Sequence, residues 1–178
     1  MTILEILVAP DPKLSEVAKE VSDITKETRQ ILDDMLETMY KSNGVGLAAT
    51  QVGIPQRLVV MDISITEEGE KKAPIKMVNP VVTEASEELS PYDEGCLSVP
   101  TFFEEVMRPA RCTVNYLDEN GKPHTMKADG FLATCVQHEI DHLDGVLFVD
   151  HISKMKRKMI TKKLEKLKKR GAVFHSAL

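Results

Sequence analysis

The chain has 178 residues, 42% hydrophobic and 29% charged, with a formal net charge of −5. That length supports one domain, residues 1–178, with a real hydrophobic core, and no apolar run approaches the ~20 residues of a membrane span. Three cysteines, odd in number and far apart, argue against a disulfide framework and for a reducing, cytoplasmic setting. The first residues, MTILEILVAPDP, carry neither the basic stretch nor the cleavage site of a secretory signal.

In chain order, the first helical pattern covers about residues 24–42. Ile31, Leu32, Met35, Leu36 and Met39 recur at helical spacing, and Asp23 or Thr25 is a candidate N-cap. A glycine-containing loop, Ser42–Gly46, leads into LAATQVG, and Arg57–Ile63 has the composition of a buried strand. Glu67–Lys72 is a charged, hairpin-like excursion. Lys76–Glu84 is strand-like but interrupted by Pro80, which predicts either a sheet edge or a bend. Cys112–Tyr116 alternates, and Glu119–Lys122 turns the chain into His124–Lys127, which predicts a hairpin. A helix then runs to about Asp144, with Gly145 suited to a left-handed stop.

The last helix is expected over about 153–170. Residues 154–170 hold ten Lys/Arg and one acid, Glu165, for a net +9, so the other 161 residues carry −14. Ile152, Met155, Met159, Ile160, Leu164 and Leu167 form its apolar stripe. Together the elements predict an α+β fold. Short antiparallel or mixed sheets surround a central helix, flanked by an N-terminal helix and a basic C-terminal one. No DNA or membrane partner is expected, and the chain is expected to be monomeric.

The central helix carries the chemistry, in Gln137-His138-Glu139-Ile140-Asp141-His142. Four residues is just over one helical turn, so both imidazoles leave one face and can meet one divalent ion, with a carboxylate beside them. A catalytic site of this kind needs a third ligand. Cys135 shares the face, but seven residues of helix span about 10 Å, too far for bonds of ~2.0–2.3 Å, so Cys135 is a pocket or core thiol. The third ligand must come from another segment, such as Cys96 in DEGCLSVP, where Pro100 ends the stretch, or a distant acid such as Glu165. Cys112 is expected in the core.

Three segments taken together resemble the peptide deformylase family. They are Gly44-Val45-Gly46-Leu47-Ala48-Ala49-Thr50-Gln51, Glu94-Gly95-Cys96-Leu97-Ser98 and Gln137–Gly145, in the family's order and at its rough spacing. The resemblance implies an enzyme that hydrolyses the N-formyl group from the starting formylmethionine of nascent polypeptides and releases formate. It implies one metal ion held by Cys96, His138 and His142 with water as fourth ligand. The ion is typically iron(II), with zinc, nickel or cobalt as substitutes. Glu139 would be general base and acid, and Gln51 and the Leu97 N–H would stabilise the oxyanion. Val45, Gly46 and Gly95 would pair with the substrate backbone, and Phe131, Thr134 and Cys135 would line the methionine pocket. Glu94 and Arg108 would orient a metal-bound imidazole. The family also gives precedent for a ribosome contact through the basic helix. One position departs from it: many relatives carry arginine where this chain has Phe103, so contacts beyond the methionine differ. The competing reading, a zinc endopeptidase using His138, His142 and Glu165, leaves the other two segments unexplained.

Overall fold

The computed structural model describes residues 2–64 and 71–169. In chain order these form α1 (Lys26–Lys41), β1 (Gly46–Ala48), β2 (Leu58–Met61), β3 (Ile75–Ala85), β4 (Leu89–Cys96), β5 (Val99–Pro109), β6 (Arg111–Leu117), β7 (Pro123–Asp129), α2 (Gly130–Leu143) and α3 (Lys154–Lys169). Short 3₁₀ turns occupy Pro12–Ser15, Ala49–Val52 and Phe148–Asp150. The fold is α+β, as the pattern predicts. Every strand pairing is antiparallel, so the mixed alternative does not arise among the described strands. A five-stranded sheet runs β1-β2-β3-β6-β7, and β4 and β5 form a separate hairpin.

The sheet has a helix on each face, and β2 shows why. Its four residues, LVVM, are all buried. Side chains alternate across a strand. Leu58 and Val60 pack with Leu32, Met35 and Met39 of α1, whereas Val59 and Met61 pack with Val136, Ile140 and Leu143 of α2. Thr25 caps α1, accepting from Thr28 N–H, while the Thr28 hydroxyl accepts from Thr25 N–H. A third apolar cluster joins Cys96, Val99 and Val106 of the hairpin to Phe148 and to Ile160 and Leu164 of α3.

Several expectations are corrected. Residues 76–84 lie in β3, which is inside the sheet rather than at its edge. Pro80 is tolerated there because the register breaks between Val78 and Val81, where Asn79 adopts φ +52° and no ladder N–H is required. The Asn79 side chain holds that bulge by bonding both the N–H and the carbonyl of Val21. Pro100 does not end its segment but is the second residue of β5. Of the charged excursion at 67–72, residues up to 70 lie outside the described residues, and Lys72 sits 4.0 Å over the Tyr40 ring. The α3 stripe is narrower than its spacing predicts. Ile160 and Leu164 are buried, but Met155 and Met159 are 80% and 45% exposed.

Candidate metal centre

Helix α2 is buried on nearly every side: ten of its 14 residues are inaccessible. A helix apolar only on one face could not sit there. This one brings Gln137, His138, Glu139 and His142 into the interior, where a polar group without a partner is unusual. Gly145, at φ +74°, ends the helix, and a Cβ there would strike the backbone of Ser15. The carbonyl of His142 accepts from the Thr50 hydroxyl (3.0 Å), tying α2 to the turn that carries Gln51.

Cys96 ends β4, just before the turn into β5. It comes to rest against α2. Its Sγ lies 3.2 Å from His142 Nε2, which lies 3.2 Å from His138 Nε2. All three donor atoms fall within 4.8 Å of one another and are buried. Bonds of ~2.0–2.3 Å in a tetrahedral site put neighbouring donors about 3.3–3.8 Å apart, so this set fits one ion. Burial pushes both imidazoles toward neutrality. Hydrogen bonds with Cys96 and Glu94 nonetheless hold His138 well above its ordinary range, while the charge on His138 drives His142 further below. Cys135 and Glu165 do not join the set; Glu165 is exposed on α3.

Glu139 faces the same space. It is 5% exposed, and its Oε2 is buried with no hydrogen-bond partner among the described residues. Burial is the main reason its carboxyl is pushed up to about 7. Gly46 lies so close that a Cβ there would collide with the Glu139 carboxylate. Gln51 is held by the backbone of Ala48, whose N–H donates to Oε1 (2.8 Å) and so turns Nε2 toward Ser98 Oγ (3.1 Å) and Cys96 Sγ (3.5 Å).

Behind the cluster, Glu94 Oε2 sits 2.8 Å from His138 Nδ1, and Arg108 donates from Nε and Nη2 to the two oxygens of the same carboxylate. Burial would raise the Glu94 carboxyl, but the bonds to His138 and Arg108 outweigh it and hold it below its ordinary value.

A cavity of ≈ 260 Å³ opens in front of the cluster. Val45, Gly46, Gln51, Gly95, Cys96 and Leu97 line it, as do Phe131, Thr134, Cys135, His138 and Glu139. The segments singled out in the sequence therefore meet at one cleft. Burial raises the Cys135 thiol, which stays protonated, and Cys112 is buried in the core beneath the sheet. The ring of Phe103 lies against the backbone of Gly95 at the mouth, 55% exposed. Three participants have no role assigned to them from the sequence. They are Ser98 beside Gln51, Tyr92 packed on Phe131 (5.2 Å between ring centroids), and Asp141, which takes a second bond from Arg108. Serine, tyrosine and aspartate are ordinary surface residues; the fold buries Ser98 and part of Asp141 and leaves Tyr92 exposed at the cleft.

Known proteins resemble the chain throughout. The model of the polypeptide deformylase family matches residues 3–158. A peptide deformylase of Rhizobium meliloti is 53% identical over 173 residues, covering 97% of this chain and 98% of the relative. One of Pelagibacter ubique is 52% identical over 168 residues, covering 94% and 96%. The crystal structure of peptide deformylase from Ehrlichia chaffeensis in complex with actinonin superposes with a TM-score of 0.88 at 43% identity, covering 93% of this chain and 98% of that one. With the family model matching residues 3–158 and relatives about half identical over nearly all of its length, the chain belongs to the polypeptide deformylase family.

Proposed function

We propose that this protein removes the N-formyl group from the starting formylmethionine of nascent polypeptides, using one divalent ion held by Cys96, His138 and His142. The observation that carries the reading is the convergence of those three donors beside a buried, unpartnered Glu139 at the floor of a cleft. A bound divalent ion supplies a Lewis acid and lowers the pKa of a coordinated water. A thiolate with two imidazoles suits iron(II), zinc, nickel or cobalt. Iron(II) is the ion we expect natively, from the resemblance of the three segments.

The protein's own groups then have distinct tasks. Glu139 takes a proton from the attacking water and returns it to the departing amine, for which a carboxyl between the carboxylate and neutral ranges is suited. Charge develops on the formyl oxygen, and the Gln51 amide N–H and the Leu97 backbone N–H are the donors we assign to it. Val45 and Gly46 on one side and Gly95 on the other offer main-chain groups to an extended peptide, which tolerates any sequence. Phe131, Thr134 and Cys135 form the apolar end that admits methionine, and Glu94 with Arg108 orients His138. Phe103 gives the mouth an apolar platform.

We take residues 1–178 as one catalytic domain, monomeric and cytoplasmic. Among the described residues, no helix is long and apolar enough to cross a membrane. The basic face of α3 is the surface we assign to ribosomal RNA, whose phosphates attract lysine regardless of sequence. Two variants test the reading. Glu139→Gln should keep its ion and lose formate release; Cys96→Ser should lose the ion. Full activity in Glu139→Gln would reject the base, and an unchanged metal content in Cys96→Ser would favour the endopeptidase alternative.

A further inference from the structure

A chain of polar contacts leaves the metal cluster and reaches the surface. Glu94 of β4 touches His138 and is gripped by both arms of the Arg108 fork, from β5. The third arm, Nη1, donates to Asp141 Oδ2 at 2.7 Å. His151, just past the Phe148–Asp150 turn, bonds the same oxygen at 2.8 Å. Arg108 and Glu94 side chains are 6% and 3% exposed, Asp141 27% and His151 37%.

The placement of Asp141 matters. It lies on α2 between His138 and His142, while Cys96 arrives on the β4–β5 hairpin. The three donors therefore come from two bodies whose relative position must be fixed to a few tenths of an ångström. Arg108 adds a link between them, beside the Glu94–His138 contact and the bond from Gln137 to the Pro109 carbonyl. It holds the hairpin's own Glu94, which orients His138, and it is anchored to the helix through Asp141. The bidentate bond to Glu94 fixes the guanidinium plane, and the bond from Nη1 to Asp141 ties that plane to α2. Asp141 also gives Arg108 a second negative neighbour, so Glu94 can share its charge with His138.

We propose that Asp141, braced by His151, is a positioning residue for the metal centre, acting through Arg108 and Glu94 on His138. This rests on the reading of Cys96, His138 and His142 as ligands of one ion. The test is Co2+ uptake by metal-stripped protein in competition with a chelator, with visible absorption of the bound ion recorded. Asp141→Ala should weaken Co2+ binding at least about tenfold and change the absorption spectrum. Asp141→Asn, which keeps an acceptor, should fall between it and the wild type, and His151→Ala should cost less than either. The double variant Asp141→Ala/Arg108→Lys should bind no worse than Arg108→Lys alone, because both act through one fork.

The proposal is overturned if Asp141→Ala and Asp141→Asn both bind Co2+ within about twofold of wild type with its spectrum, which is below the usual effect of such partners. Additive losses in the double variant would overturn it as well. If Asp141→Ala does not fold by circular dichroism, Asp141→Asn decides. Wild-type protein that takes up no Co2+, or Cys96→Ser that binds it as tightly, would instead remove the ligand assignment beneath the proposal.

Discussion

Gly46 shows how tightly single residues constrain this cleft. Its missing side chain is the room that the Glu139 carboxylate occupies. Gly46→Ala should therefore lower formate release sharply while the fold persists, since the glutamate must move before the methyl fits; wild-type turnover in that variant would show that Glu139 is free to shift. Glu139→Gln should cost about 10²–10⁴ in kcat, the usual worth of a positioned base, with metal content unchanged. Gln51→Ala should cost about 3 kcal/mol in transition-state binding, read as a fall in kcat/KM. How much of this was legible depends on what kind of regularity each residue obeys. His138, Glu139 and His142 announce themselves by helical spacing. Cys96 and Gln51 do not, because they reach the cluster through contacts 46 and 45 residues away in sequence. The need for a third ligand makes Cys96 a candidate and the resemblance assigns it, whereas Gln51 rests on the resemblance alone; Ser98 and Asp141 lie in the resembling segments, but no role follows for them from the sequence.

Elements were legible where one physical period dominates. The α1 spacing and its Thr25 cap, the buried LVVM strand, and the hairpin of β6 and β7 were all readable. The β4–β5 hairpin was not. Pro91, Pro100 and Pro109 interrupt it, and its acids stand on both faces, so neither alternation nor turn chemistry stands out. Of the two readings that Pro80 allows, a sheet edge or a bend, the structure has the second, since a bulge excuses it from the ladder. Helix α3 was found, but its docking face was overestimated, because two buried residues suffice to hold a helix whose lysines keep the rest in water. Leu164→Ala should thus cost about 2–5 kcal/mol and lower the Tm, whereas Met155→Ala should leave it unchanged. The same packing alters how the ribosome contact is tested. Cutting the chain near 154 would uncover Val99, Val106 and Phe148 beside Cys96, confounding binding with stability. Charge reversal at exposed Lys158, Lys162 and Lys166 is cleaner. It should weaken ribosome binding and leave turnover of a short formyl-peptide intact; undiminished binding would remove α3 as the contact.

At the scale of the whole molecule, the sheet between α1 and α2 must hold its shape across the pH range in which the enzyme works, and Asp62 is one place where that is decided. It is fully buried and accepts from Tyr40, from Ser64 twice and from Ala73, joining α1 to the end of β2 and the start of β3. Burial alone would raise its carboxyl; the bonds from Ser64, Tyr40 and Ala73 win and hold it below its ordinary value. A depressed carboxyl stabilises the fold above the unfolded value of about 3.9 and loses that contribution as pH falls through the folded value. Asp62→Asn should therefore be less stable than wild type at neutral pH, with the gap closing below about pH 4 in denaturant titrations. A gap that widens toward acid would reverse the sign and reject this assignment. The central claim is that the cleft binds one ion and hydrolyses a terminal formyl group. Formate released from formyl-Met-Ala-Ser by anaerobically purified protein, with metal analysis of the same sample, tests it most directly. The expected result is turnover that scales with one equivalent of iron per chain and is lost on chelation. Metal-free protein that releases formate at the same rate, or metal-loaded protein that releases none, would contradict it.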